Sequence, residues 1–138
     1  MPNKKIGFLI KQVFYLHEQH FSKFGLTASQ TFTLIYLFKS HDKGISVNQK
    51  DIEKELDISN PTVTGILNRL EVKGLITRVP CRHDARAKNI EVTEKALELD
   101  KQLRIVFQQS DEKLVESLSK EEIDNLQSYL IKILRSNS

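Results

Sequence analysis

The stretch from Ser59 to Arg86 constrains the fold of this chain more than any other part of it. It begins with SNPTVTGILNRLEVKG, in which four aliphatic residues recur at the i, i+3, i+4, i+7 spacing of one helix face. Those residues are Val63, Ile66, Leu67 and Leu70. The remaining side chains are small or polar, so we expect a helix that is buried on one side and can approach another surface closely on the other.

A strand pair and a cationic loop are predicted to follow that helix. Gly74 suits the left-handed position that ends a helix, and the apolar segments 75–79 and 89–93 are typical of short strands. The segment 78–88 carries a net charge of +3, whereas the part from Glu94 to the end carries −2. A polar-faced helix beside a basic ribbon matches the major groove of DNA and its flanking minor groove. An exposed helix face next to a solvated loop is the structural alternative.

The spacing of the preceding helices predicts a helix-turn-helix. A Thr-x-x-Gln capping box at Thr27 opens a second helix that runs to about Lys39. A Ser-x-x-Gln box at Ser46 is expected to open a short third helix. Only residues 57–59 separate it from the fourth helix, where Pro61 suits the first helical position. In such a pair of short helices the second one reads DNA.

Both ends of the chain carry amphipathic helices that extend beyond what a small lobe can cover. The first is expected over residues 5–22. A long helix capped by Thr93 should run to about Ser117, and its roughly 24 residues would extend about 36 Å. A Ser-x-x-Glu box at Ser119 opens a last helix. We expect these three helices to pair with a second copy of the chain through Ile6, Ile10, Val13, Leu114, Leu118, Leu126, Leu130 and Ile133.

Length and composition restrict the class of protein. The 138 residues, of which 39% are hydrophobic and 28% charged, are typical of one folded domain. The single cysteine cannot form an intrachain disulfide, and no apolar run is long enough to span a bilayer, so we expect a cytoplasmic protein without membrane contact. The sequence contains no glycine-rich phosphate loop, nucleophile elbow or complete metal-ligand set, and we expect neither catalysis nor a cofactor.

Several segments together resemble the MarR family of bacterial regulators. They are LTASQTFTLIYL in the second helix, NQKDIEKELDIS in the third, SNPTVTGILNRLEVKGLITR in the fourth helix and its strand, and VTEKA at the start of the long helix. Asp84 and Arg86 in the cationic loop belong to the same pattern. No single segment is specific, but their order and spacing are, and the resemblance covers essentially the whole chain.

The resemblance implies a mainly α fold with six helices and a small two- or three-stranded β-wing, which is a winged helix-turn-helix. Residues 1–138 then form a single domain, in which residues 5–25 and 94–138 supply dimerisation helices and residues 27–93 form the DNA-binding lobe. The implied function is that of a homodimeric repressor, or less often an activator, on a pseudo-palindromic operator in double-stranded DNA. A small aromatic or anionic ligand, or an oxidant, is implied as the signal that releases the operator.

The candidate DNA contacts lie on the fourth helix and on the wing. Asparagine can pair with adenine through two hydrogen bonds, threonine can touch a thymine methyl group, and arginine suits a narrow minor groove. We expect Arg86 to enter the minor groove with Asp84 orienting its guanidinium, whereas Arg78 either contacts phosphate or pairs within the fold. The full set is Ser59, Asn60, Pro61, Thr62, Thr64, Asn68, Arg69, Arg82, Asp84, Arg86 and Lys88.

A few other residues admit two interpretations. Cys81 lies among cations that favour a thiolate, so a redox switch is an alternative to an ordinary exposed thiol. His17 and His20 are one helical turn apart and could share a metal, although packing of His17 at an interface is favoured. In the family, ligands bind where the dimer helices meet the DNA-binding lobe, which here implies Phe14, His17, Tyr36 and residues near the start of the fifth helix, with core packing as the alternative. A winged-helix module that binds protein rather than DNA is the runner-up function.

Overall fold

A computed structural model describes residues 4–84 and 87–137, so the predicted minor-groove residue Arg86 lies outside the described residues. Within those ranges the elements are α1 (Ile6–Gln19), α2 (Ala28–Asp42), α3 (Gln49–Leu56), α4 (Asn60–Val72), β1 (Ile76–Pro80), β2 (Lys88–Val92), α5 (Glu94–Leu114) and α6 (Lys120–Ser136). A short 3₁₀ turn, Ser22–Phe24, follows α1. The predicted fold class is therefore confirmed: the chain is mainly helical, with six helices and a two-stranded wing.

The hydrophobic core lies in the middle of the chain, where α2, α3, α4, the hairpin and the first half of α5 meet. All four aliphatic residues of the predicted inner face of α4 are buried. They join Phe38 of α2, Ile52 of α3, Ile90 of β2 and Leu103 of α5 in one continuous cluster. The middle of the chain thus holds α4 by one face and leaves its polar face outside.

Local capping signals fix several element ends as predicted. Thr27 and Gln30 bond reciprocally at the start of α2, and Ser119 and Glu122 do the same at the start of α6. Gly74 has a φ of 74°, the left-handed conformation expected just after α4. No helix in the described part of the chain is long and apolar enough to cross a membrane.

The prediction that Ser46 caps α3 is wrong. Asn48 is the cap: its Oδ1 accepts from Asp51 N at 3.0 Å, and its own N donates to Asp51 Oδ2 at 2.9 Å. The physical reason lies in Val47, which is buried and whose carbonyl accepts a bond of 2.7 Å from Ile90 N. Because this bond holds the chain in an extended conformation against β2, the helix cannot begin at the earlier box.

Smaller differences concern the element boundaries. The two strands pair antiparallel, and each lies one residue away from its predicted bounds. An isolated bridge between Asn48 and Asn89 adds a further extended segment beside the hairpin. Pro61 is the second residue of α4 rather than the first, and α5 ends at Leu114 rather than near Ser117.

Candidate nucleic-acid interface

The outer face of α4 carries most of the predicted DNA contacts. Gly65 has no side chain on this face, and the Arg69 guanidinium lies close above it: a Cβ at position 65 would be 3.3 Å from Nη1 of Arg69. The guanidinium of Arg69 therefore lies back along the helix, above Gly65, from where it can reach a phosphate beside α4. The exposed predicted contacts on and before the helix are Ser59, Asn60, Pro61, Thr62, Asn68 and Arg69, whereas Thr64 is partly buried.

Polar side chains of α3 contact the first two turns of α4. The amide Nδ2 of Asn60 donates to Glu53 Oε2 at 2.9 Å. Gln49 Nε2 donates to Thr64 Oγ1 at 2.8 Å and approaches the Asn60 carbonyl at 3.4 Å. Thr64 Oγ1 in turn donates to the same carbonyl at 2.9 Å. The Thr64 hydroxyl is thus already engaged as donor and as acceptor, which leaves its methyl group as the part still free of a polar partner.

The start of α4 has no side-chain cap. Ser59 occupies the cap position, but its side chain accepts no bond from a backbone N–H of the helix. Its Oγ lies instead 3.0 Å from Thr62 Oγ1, and this pairing of hydroxyls replaces the cap. Backbone N–H groups of the first turn therefore lack this cap, and such groups suit a phosphate oxygen.

Cationic side chains mark the wing. Arg82 and Lys88 are exposed, and so is Asp84, whose predicted partner Arg86 lies outside the described residues. The loop between the strands is closed by a bond of 2.8 Å from Cys81 N to the Ala87 carbonyl. The structure thus places two predicted phosphate-binding cations on the surface of the wing.

Arg78 pairs within the fold, which was one of its two predicted roles. Its Nη2 donates to Asn68 Oδ1 at 2.9 Å, and its Nη1 lies 3.8 Å from Glu71 Oε1. Because the carbonyl oxygen of Asn68 accepts from Arg78, the Nδ2 group of Asn68 is directed elsewhere. The β1 strand and the last turns of α4 are held together by this contact.

Cys81 and the histidines show no metal-binding arrangement in the described residues. No group of three or more histidine, cysteine or acidic side chains is close enough to hold a metal ion there. Cys81 is partly buried, and its thiol donates to Asn89 Oδ1 at 3.3 Å. The redox role of Cys81 stays a prediction.

The end of α4 is tied to the start of α2 by Lys73. Its ammonium group donates to the Gly25 carbonyl and lies 3.3 Å from Gln30 Oε1. That oxygen also accepts from Thr27 N in the capping box of α2. Lys95 of α5 donates to the Lys73 carbonyl at 2.7 Å. These bonds hold the C-terminal end of α4 against the starts of α2 and α5.

An aromatic cluster joins α1 to α2 and α5. His17 is the buried residue of α1, and its Nδ1 lies 2.8 Å from Ser110 Oγ of α5. The rings of Phe21, Phe32 and Phe107 surround the imidazole at centroid distances of 5.2, 5.8 and 6.2 Å. Burial lowers the pKa of His17 below its ordinary value; a nearby Asp111 partly opposes this, and His20 adds to it.

The three residues considered for ligand binding do not meet in one site. Phe14 is 45% exposed on α1, whereas His17 is buried in the aromatic cluster. Tyr36 is directed toward α3: burial, followed by the charges of Asp51 and Glu55, raises its pKa. Only His17 of the three therefore lies where α1, α2 and α5 meet.

The residues predicted to form a dimer interface are mostly exposed in the single chain. Ile6 of α1 is 68% exposed, and α6 has no buried residue at all along its described length. Leu114 and Leu118 are partly buried at the end of α5 and just after it. The predicted interface residues that are exposed are Ile6, Ile10, Val13, Leu126, Leu130 and Ile133.

Three residues that position α4 were not predicted from the sequence as parts of the site. Glu53 and Gln49 belong to the preceding helix, and Lys73 lies just beyond α4. Glu53 and Gln49 lie three and seven residues before Leu56, the last residue of α3. Their only sequence signal is that polar residues recur at helical spacing on the α3 side that faces α4.

Comparisons with known proteins agree with this geometry. The MarR family pattern matches residues 24–87. MepR of S. aureus, in a structure of its complex with DNA, is 31% identical, with 97% of this chain and 99% of MepR covered and a TM-score of 0.84. A probable transcriptional regulator from Pseudomonas aeruginosa shares the fold at 20% identity, with coverage of 96% and 99% and a TM-score of 0.82. MarR of E. coli also shares it, at 24% identity, coverage of 95% and 98% and a TM-score of 0.69. The chain belongs to the MarR family of winged-helix regulators.

Proposed function

We propose that this protein is a transcription regulator that binds double-stranded DNA as a homodimer and represses transcription from a pseudo-palindromic operator. The observation that carries the proposal is the outer face of α4, where small polar side chains, Gly65 and the guanidinium of Arg69 lie together on the surface. MepR, which is 31% identical over nearly its whole length, was solved in complex with DNA. Such a face fits the major groove because it is narrow and rich in donors and acceptors.

Affinity and sequence choice have different sources in this proposal. Arg69, Arg82 and Lys88 are exposed cations that contact phosphates, and the uncapped start of α4 adds backbone donors. Asn60, Thr62 and Asn68 meet base edges or phosphates. Arg86 enters the minor groove beside the wing, with Asp84 orienting it. Pro61, Ser59 and Thr64 complete the contact surface around the first turns of the helix.

The chain-end helices supply the homodimer in this proposal. Residues 5–25 and 94–138 pair with a second copy, and residues 27–93 form the DNA-binding lobe. The apolar side chains of α1 and α6 support this division, because side chains such as Leu130 and Ile133 are 43% and 47% exposed in the single chain. Two α4 helices related by a dimer axis would meet successive major grooves about 34 Å apart.

A small aromatic or anionic ligand acts in this proposal on the cluster around His17. The cluster joins α1, α2 and α5, which are the elements that connect the proposed dimer interface to the lobe. A ligand that binds one arrangement of these helices more tightly than another changes the separation of the two α4 helices and so releases the operator. The protein acts on DNA in the cytoplasm.

A gel-shift titration tests DNA binding directly. Duplex fragments from around the protein's own gene are titrated with the full chain at two salt concentrations. We expect a retarded band whose affinity falls steeply as salt rises, because bound cations are released from phosphates. If no fragment gives a salt-sensitive shift, the regulator function is wrong and the runner-up, a winged-helix module that binds protein, takes its place.

The phosphate contacts of the wing are tested by Arg82→Ala. Loss of one phosphate contact should lower the slope of log K against log salt by about 0.9 while leaving the sequence preference unchanged. Lys101→Ala, which removes an exposed cation from α5, is the matched control and should leave the slope as it is. An unchanged slope for Arg82→Ala contradicts the phosphate role of the wing.

A further inference from the structure

The hydrogen bond between Asn60 of α4 and Glu53 of α3 fixes the orientation of the exposed Asn60 amide. Asn60 is exposed, and its Nδ2 donates to Glu53 Oε2 at 2.9 Å. An ionised carboxylate only accepts hydrogen bonds, so the amide group must turn its nitrogen toward Glu53 and its Oδ1 away from it. The amide is therefore held in one of its two orientations by the chemistry of its partner.

We propose that Glu53 is a positioning residue that makes Asn60 select adenine over guanine in the operator. The inference rests on the proposed function. With one Nδ2 hydrogen bound to Glu53, Asn60 presents its Oδ1 acceptor and its remaining Nδ2 hydrogen to the surroundings of α4. That edge matches the N6 donor and N7 acceptor of adenine in the major groove. Guanine offers two acceptors, O6 and N7, and one of them would face Oδ1.

The backbone of Asn60 is also held in place by hydrogen bonds, so its side chain projects from a fixed position. Gln49 Nε2 and Thr64 Oγ1 both lie within hydrogen-bonding distance of the Asn60 carbonyl, at 3.4 and 2.9 Å. Gln49 also donates to Thr64 Oγ1 at 2.8 Å. These bonds join the start of α3 to the first turns of α4. The atoms that Asn60 presents to a base can therefore change mainly through rotation of its terminal amide.

Removal of the carboxylate should free that rotation. In Glu53→Ala the amide has no fixed acceptor, so it can turn over and offer its nitrogen to either purine. In Glu53→Gln the new side chain can accept from Nδ2 or donate to Oδ1, so both orientations of Asn60 have a partner. The preference for adenine over guanine should therefore decrease from the native protein to Glu53→Gln and further to Glu53→Ala.

A selection from a pool of duplexes with a randomised central segment tests the inference. The full chain selects its preferred sequence, and dissociation constants are then measured for that duplex and for each single replacement within one half-site. Asn60→Ala identifies the position that Asn60 reads as the one at which preference is lost. We expect adenine there in the native selection, with binding about tenfold tighter than to guanine.

The variants of α3 give the decisive comparison. We expect Glu53→Ala to reduce the tenfold ratio to about twofold or less, and to have no further effect in an Asn60→Ala background. Glu55→Gln is the matched control, since it removes one negative charge from an exposed position of the same helix. It should shift the affinity for all duplexes alike, as Glu53→Gln also does through its charge, and it should leave the ratio unchanged.

The outcomes separate this inference from the proposed function. If the native chain selects no sequence from the pool, both fail. If it selects a sequence but Glu53→Ala keeps the full ratio, or if the position lost in Asn60→Ala is not adenine, the inference alone is overturned. A general weakening of binding by Glu53→Ala with an intact ratio also overturns it, because a purely structural contact would act on all duplexes equally. Circular dichroism confirms that each variant is folded.

Discussion

The middle of the chain and its two end helices differ in how they satisfy their apolar side chains. In the middle, the inner face of α4 is buried against α2, α3 and α5, and Phe38 and Leu67 have no accessible surface. In α6 no residue is buried, and Leu134 is 69% exposed. The first region completes a core by itself, whereas the second presents an apolar face on an otherwise well-capped helix.

This difference indicates which parts of the molecule depend on a partner. A helix with an apolar stripe is stabilised mainly by packing, so α6 needs another surface more than α4 does. In the proposed dimer, the lobe that would read DNA keeps its shape within one chain, while its spacing from the second lobe would depend on the end helices.

The largest effect is expected in the lobe core. Phe38→Ala should lower the free energy of unfolding by about 3–5 kcal/mol, because it leaves a cavity among fully buried side chains. Urea unfolding followed by circular dichroism measures the change. Val72→Ala removes a side chain that is 88% exposed and should stay within about 0.5 kcal/mol. Equal losses in the two variants would remove the distinction between buried and exposed positions in the lobe.

The next largest effect concerns the end helices. Leu130→Asp places a charge on the apolar face of α6 and should weaken self-association by about 2 kcal/mol or more, since it desolvates a charge in the proposed interface. Sedimentation equilibrium measures it. Ser128→Asp adds the same charge on another face of α6 and is the control. A monomeric native chain, or a dimer that survives Leu130→Asp unchanged, contradicts the role assigned to this face.

A smaller effect is expected where the two regions meet. Lys73→Met keeps the length of the side chain but loses its bonds to the Gly25 carbonyl and to Gln30, so the free energy of unfolding should fall by about 1–3 kcal/mol. Lys50→Met, at an exposed position of α3, serves as the control. If urea unfolding shows no difference between the two variants, Lys73 does not hold α4 to the start of α2.

The smallest effect is a pH dependence from His17. Since burial lowers its pKa in the folded chain, the unfolded chain binds the proton more readily as pH falls through about 6.5. The His17 contribution should thus leave stability unaffected at higher pH and reduce it as pH falls below that value toward the lowered folded pKa. Urea unfolding at pH 7.5 and 5.5, compared between the native chain and His17→Gln, isolates the effect. A native chain no more sensitive to acid than His17→Gln contradicts it.

Much of the fold could be predicted because it depends on signals that are close together in the sequence. The capping boxes at Thr27 and Ser119 and the glycine at position 74 act within a few residues of the elements they bound. The box at Ser46 failed because a distant strand decides the conformation of Val47 through its bond to Ile90. A local sequence pattern contains no information about a hydrogen bond to a residue more than forty positions away, such as the one between Val47 and Ile90.

The candidate site shows the same division. The polar face of α4 could be predicted from helical periodicity alone, and the charge of the wing from counting residues. The partners of those side chains could not, because the bonds from Asn60 to Glu53 and from Arg78 to Asn68 depend on how α3 and β1 pack against α4. The sequence therefore predicts which residues face outward better than it predicts which of their atoms are still free to bind.

The absence of buried residues along the described length of α6 has a consequence for the order of events during folding. The buried residues of the core cluster end at Leu103, so this core can form before α6 (Lys120–Ser136) has met another surface. Since domains generally fold as units, we expect the lobe to fold in the single chain. Pairing of two copies through α6 would then join lobes that are already formed.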